Sequence, residues 1–187
     1  MAHENQKVGV LTHILKERKE FDSIIVFTSS KMKVSEIVRS LRRAGFSATG
    51  ISSNLTQDMR EEVLRGFRSK RIRILVATDV MSRGIDIKEI NMVVNFDVPH
   101  DAEDYVHRVG RTARANTKGE AHTFISEKDM HKVRKIERLI ETKFEKIAPP
   151  VALGPGPVWS EKSSSNSGGG KKRHFNKNKN GPRKPQP

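Results

Sequence analysis

Ser23–Thr28 reads SIIVFT, four apolar side chains in an unbroken run between two hydroxyls. A strand with one solvated face alternates apolar and polar residues. A run without alternation belongs to a strand buried on both faces, as in parallel sheets. Working outward, Phe46–Ile51, Ile72–Ala77, Met92–Phe96 and Glu120–Ser126 read as further strands. Between them the apolar residues switch to helical spacing. Val8, Leu11, Ile14 and Leu15 share one face, as do Val34, Ile37, Val38 and Leu41, then Val63, Leu64 and Phe67, and finally Ile136, Leu139 and Ile140. Gly45 is placed as a C-cap, Thr56 as an N-cap, and Asp101 as the cap of a helix entering the stretch HRVGRTARA, His107–Ala115. Strands alternating with helices predict the α/β class, a parallel sheet flanked by helices on both faces. Ligands of such sheets gather beyond the carboxyl ends of the strands. Three polar clusters fall there: Thr28–Lys31, Thr78–Asp86, and the helix carrying His107–Ala115.

The chain has 36 Lys and Arg against 22 Asp and Glu, a net charge of +14, which points to a polyanionic partner. Residues 160–187 hold eight Lys/Arg and one Glu, so half of that charge lies in the last segment. There is no cysteine, which excludes disulfides and thiolate metal sites and suits a reducing compartment. The apolar runs IIVF and ILVA are far too short to span a bilayer, so no membrane association is expected. MAHENQKVG lacks the apolar core of a signal peptide, and the expected setting is cytoplasmic. After Pro149-Pro150 the periodicity gives way to GPGP, SSSNSGGG and KKRHFNKNKNGPRKPQP. The expected organisation is therefore a domain over residues 1–148 and a Pro/Gly/Ser-rich linker with a basic, disordered tail over 149–187.

A phosphate-cradling loop, GxxxxGK[ST], is missing: the one Gly-Lys pair, Gly170-Lys171, has Ser165 in the place of the first glycine. The acids of DAED, 101–104, suit a helix N-terminus, and no residue spacing marks a metal site. What the chain does have is arginine, whose planar guanidinium forks onto phosphate oxygens and stays charged. On a helix, His107, Arg111 and Arg114 would fall at i, i+4 and i+7 and share a face. From spacing alone that face is either a solvated basic helix end or a set of arginines aimed at a phosphoryl group.

Val76–Ile87, VATDVMSRGIDI, decides between them. TDVMSRGID resembles motif V, and HRVGRTAR motif VI, of the second RecA-like domain of the DEAD-box RNA helicases. IIVFTSSK is similar to motif IV of that family, and Gln57 and Arg60 match its QxxR element. The resemblance covers about residues 7–148, in the expected order, and implies a RecA-like (P-loop NTPase-type) fold. The family's first domain has no counterpart here, so the chain is expected to be a fragment of a longer protein. Ser52-Ser53 stands where the family often has His-Gly, and Ala113 where a glycine is usual.

By this resemblance Arg114 is the arginine finger on the γ-phosphate and Arg111 also reaches the phosphates, with Gly84 and Asp86 at the nucleotide, Asp86 toward the ribose. Asp79, Arg83, His107 and Arg108 match positions coupling the nucleotide site to the other domain and the RNA path. Arg60 and Thr78 match RNA-backbone contacts, assisted by main-chain groups near Thr28 and Ser29. The implied partners are RNA, ATP with Mg²⁺ held by the absent first domain, and that N-terminal RecA-like domain itself. The isolated chain is expected to lack ATPase activity. Two further readings stay open: a stand-alone basic RNA-binding or annealing module, and a DNA-directed helicase of the same superfamily. The tail reads either as a non-specific RNA tether or as a solubilising end.

Overall fold

The structure is a computed structural model, and it describes residues 1–79, 90–112 and 119–160. Five strands pair in parallel in the order β2-β3-β1-β4-β5, with β1 Ile24–Phe27, β2 Ala48–Ile51, β3 Ile74–Ala77, β4 Met92–Asn95 and β5 Glu120–Thr123. The unbroken apolar run Ile24–Phe27 lies in the middle of the sheet, with Ile24 opposite Ile74 on one side and Met92 on the other. Successive side chains then serve opposite faces. Ile24 and Val26 join Ile74, Val76, Met92 and Val94 in one core, closed by Leu11 and Leu15 of α1 (Lys7–Glu17) and Val34, Ile37 and Leu41 of α2 (Lys31–Arg43). Ile25 and Phe27 join Leu75 and Val93 in a second core, under Val63, Leu64 and Phe67 of α3 (Gln57–Arg68).

A third apolar cluster joins α4 (Ala102–Val109) to α5 (Met130–Leu139), built on Tyr105, Met130, Val133 and Ile136. Of the expected face of the last helix, Ile136 is buried and Ile140 packs partly buried on this cluster, while Leu139 does not. Leu139 is 46% exposed, and the buried row is Met130, Val133 and Ile136. The helix ends at Leu139 and the chain turns through Glu141 at φ +53°. In the first part of the expected linker, Leu153 lies against Gly9 and Trp159 against the third apolar cluster.

Local signals account for the ends of the elements. Ser30 and Thr56 cap α2 and α3, their hydroxyls accepting from the N–H groups of Lys33 and Met59. Asp101 occupies the N-cap position of α4, but its carboxylate accepts no capping bond. After α2 the N–H of Gly45 donates to Arg42 O and that of Phe46 to Leu41 O, both at 3.0 Å, a Schellman turn with Gly45 at φ +85°. An added Cβ at Gly45 would meet nothing within 4 Å, so only the backbone resists a side chain. Gly45→Ala should therefore lower unfolding free energy by about 1–2 kcal/mol. Urea titration followed by far-UV circular dichroism would show a lower midpoint at unchanged slope; an unchanged midpoint would refute the assignment.

Candidate functional site

The carboxyl ends of β1, β3 and β4 meet at two charged side chains, Asp97 and Arg108. Asp97 follows β4, and its Oδ2 accepts from Thr28 Oγ1 at 2.8 Å and from both the N–H and the hydroxyl of Ser29 at 2.9 Å. Oδ1 accepts from Lys33 Nζ at 2.7 Å and Lys7 Nζ at 3.4 Å. Lys7 is fully buried and lies 2.6 Å from Glu4 Oε1 and 3.9 Å from Asp129 Oδ2. Burial alone would raise the Asp97 carboxyl. The Lys33 ammonium, the Ser29 N–H, the Thr28 hydroxyl and the Lys7 charge outweigh it and hold the group well below the usual carboxylate range. Desolvation correspondingly opposes the Lys33 charge, but the carboxylates of Asp97 and Glu4 win and raise its ammonium.

Arg108, 3% exposed, forks onto Asp79 at the exit of β3, with Nε 2.6 Å from Oδ1 and Nη2 2.7 Å from Oδ2. Its Nη1 donates to Asn95 Oδ1 at 3.0 Å and to the Asp97 carbonyl at 2.9 Å, while the guanidinium sits 5.0 Å from the centre of the Phe27 ring. Asn95 in turn donates to Thr123 Oγ1 of β5 at 3.1 Å. One arginine thus ties together residues of β1, β3 and β4, and Asn95 extends the chain of bonds to β5.

Of the residues expected to act together, the structure joins Asp79 to Arg108 and sets Thr28 and Ser29 side by side on Asp97. The N–H of Thr28 is also engaged, by Ala77 O at 3.0 Å. Arg60 lies half-buried on the second turn of α3, and Gln57 donates to Glu61 Oε1 within the same helix. Thr78 is half-buried beside Asp79. His107 and Arg111 do not share a helix, because Arg111 lies past its end. α4 ends at Val109 with Gly110 as its C-cap, and the chain turns so that Thr112 Oγ1 reaches Ile90 O at 2.8 Å. His107 is exposed on the last turn and Arg111 follows half-buried in the turn after it. Arg83, Gly84, Asp86, Ala113 and Arg114 lie outside the described residues.

Sequence reasoning missed Asp97, Lys7, Lys33 and Asn95. The available signal was NFDVP: polar residues closing an apolar strand at the edge where ligands gather. Among the described residues, no group of three or more His, Cys, Asp or Glu is placed to hold a metal ion. No helix among them is long and apolar enough to cross a membrane.

The family model described as helicase conserved C-terminal domain matches residues 6–116. The chain belongs to that family, as a DEAD-box helicase C-terminal domain. It is 43% identical over 149 residues to the DEAD-box ATP-dependent RNA helicase CshA of Geobacillus kaustophilus, covering 80% of this chain and 32% of the relative. A probable ATP-dependent RNA helicase of Methanocaldococcus jannaschii is 44% identical over 146 residues, covering 78% of this chain and 39% of the relative. The chain therefore spans about a third of the length of these curated relatives. Among solved structures, Escherichia coli SrmB, bound there to regulator of ribonuclease activity A, superposes with a TM-score of 0.77 at 34% identity, covering 86% of this chain and 94% of that one. The parallel sheet with helices on both faces is the RecA-like fold of that family.

Replacing Asp97 by Asn keeps the shape of the side chain but leaves Lys7 and Lys33 without their shared carboxylate. Breaking a buried ion pair from one side costs about 3–5 kcal/mol. The folded carboxyl titrates below its unfolded value of about 3.9, so its contribution is fully present above that pH and fades as pH falls toward the folded value. The stability gap between wild type and Asp97→Asn should be constant from neutral pH down to about pH 5 and narrow below about pH 4. Denaturant titrations across that range would show it; a gap that does not narrow in acid would remove Asp97 as its cause.

Proposed function

We propose that this domain completes the ATP site of an ATP-dependent RNA helicase and grips the RNA backbone while doing so. The observation that carries the reading is the bidentate Arg108–Asp79 pair, which fixes the end of α4 to the end of β3. Motifs V and VI run through those segments, which supports reading the pair as the base on which the nucleotide-facing arginines act. The domain has no phosphate loop of its own. In this reading ATP and its Mg²⁺ are held by a first RecA-like domain, which also supplies the base acting on water.

The chemistry asked of this half is positioning and charge. Arg111 and Arg114 stabilise charge developing on the γ-phosphoryl group, Gly84 lets the backbone come close to the nucleotide, and Asp86 accepts from the ribose. Arg60 and Thr78 hold phosphates and sugars beside Thr28 and Ser29, whose N–H groups are spent on Ala77 O and Asp97, so RNA binding is tolerant of sequence. His107 and Arg83 face the other domain, while Arg108 and Asp79 act from inside by holding the two segments in register. RNA favours the closed arrangement of the two domains, in which the arginines reach the nucleotide; hydrolysis releases it. The net charge of +14 supports the polyanionic partner.

The test joins the domain to its first domain and measures RNA-stimulated ATPase. Arg114→Ala should lower kcat on the order of 10³-fold or more, as loss of an arginine finger does, and Arg111→Ala should also impair turnover. The chain alone should show no ATPase. Undiminished turnover in Arg114→Ala would sink the finger assignment, and robust RNA binding by a two-domain protein without any ATPase would favour the annealing module.

A further inference from the structure

From the end of α5 to Ser160 the chain stays against the domain. Phe144 packs on Tyr105 of α4 with ring centres 5.3 Å apart. The chain then crosses α1, where Leu153 closes over Gly9 and Gln6 Nε2 donates to the carbonyls of Leu153 at 2.8 Å and Pro155 at 3.0 Å. It ends back at α5. There Trp159, the one tryptophan of the chain, lies under Lys146 Nζ at 4.4 Å and beside the Arg134 guanidinium at 5.8 Å. Arg134 Nη1 donates to Ser160 O at 2.7 Å. The strap thus fixes the root of the basic tail on α5.

The outer face of that helix is basic. His131, Lys135 and Arg138 are exposed at i, i+4 and i+7, preceded by exposed Lys128. Three nearby acids are turned to other partners: Glu127 to His3 at 2.8 Å, Asp129 to Ser126 at 2.6 Å and Lys132 at 3.2 Å, and Glu137 to Lys146 and the N–H of Phe144. Among the described residues, no carboxylate pairs with Lys128, Lys135 or Arg138. Residues three and four apart on a helix stand roughly 5–6 Å from one another, a spacing at which flexible cations can follow a phosphate chain.

We infer that the outer face of α5, Lys128, His131, Lys135 and Arg138, is a second RNA-binding surface, one that takes the phosphate backbone of a single strand beside the anchored root of the tail. This rests on the RNA reading above but names a different place. The RNA contacts proposed there belong to β1, β3 and α3, toward one edge of the sheet, whereas α5 follows β5 at the other. RNA is favoured over an acidic protein by the composition of the tail beyond its anchor. Lys171-Lys172-Arg173-His174-Phe175 sets rings among cations, the combination that suits stacked bases on a charged strand. From Ser160 to Lys171 is eleven residues, at most about 38 Å of chain, so face and tail can engage one strand and each raises the local concentration for the other.

The test uses the 187-residue chain and a fluorescently labelled oligouridylate, with anisotropy measured across a salt titration. Lys135→Glu with Arg138→Glu should weaken binding about tenfold or more at low salt and flatten the log–log salt slope by about 1.4, two phosphate contacts at about 0.7 each. The control pair Arg39→Glu with Arg43→Glu, exposed on α2, makes the same change in net charge and should cost far less. Oligouridylate should also shift the emission of Trp159, and poly-glutamate should compete poorly. Equal losses from both pairs, no loss from the α5 pair, or equal competition by poly-glutamate would each overturn this surface. Failure of the wild-type chain to bind RNA at all would instead count against the RNA-gripping role itself.

Discussion

The carboxyl edge of this domain depends on the contact between Arg108 and the residues it bridges. An arginine at 3% exposure is tolerated only when its donors are spent on well-placed acceptors. Here they are: two on Asp79, and others on Asn95 and the Asp97 carbonyl. Asp97 then works in two directions, its carbonyl toward Arg108 and its carboxylate toward Thr28, Ser29, Lys33 and Lys7. A shift at the exit of β3 is therefore felt at the exit of β1 through two side chains and one peptide. In the proposed helicase cycle these exits carry the nucleotide-facing and RNA-facing segments, and the linkage gives them a common frame.

Much of the fold is legible in the sequence because it rests on period and on local chemistry. Ile24–Phe27 can only be a strand buried on both faces, Thr56 can only start a helix cheaply, and Gly45 stands where the chain must turn left-handed. The site is less legible because it is tertiary. Lys7 reads as the polar first residue of an amphipathic helix, and nothing local says that three carboxylates surround it. Asp97 reads as a loop acid. The end of α4 at Val109 had a signal in Gly110, but the helical spacing of the basic residues drew the reading past it.

The strap shows the same limit from the other side. Its Pro/Gly composition describes a connector, and composition is silent on where a connector lies. Trp159 was the clue: a large aromatic ring with one polar group is an expensive residue to leave in water, and here it lies between two cations on the third apolar cluster. Past the break in periodicity at Pro149-Pro150, Leu153 and Ser160 accept hydrogen bonds from Gln6 and from Arg134 of α5.

The seclusion of Arg108 bears on how this protein responds to its solution. Mobile ions weaken attractions between exposed charges beyond about 10 Å at moderate ionic strength, and they reach a buried fork far less. Changes of salt thus act on the outer charges, those of the proposed RNA contacts among them, while the inner fork stays as built. The proposed grip and the architecture differ in their response to salt, and the loosening of one in brine leaves the other intact.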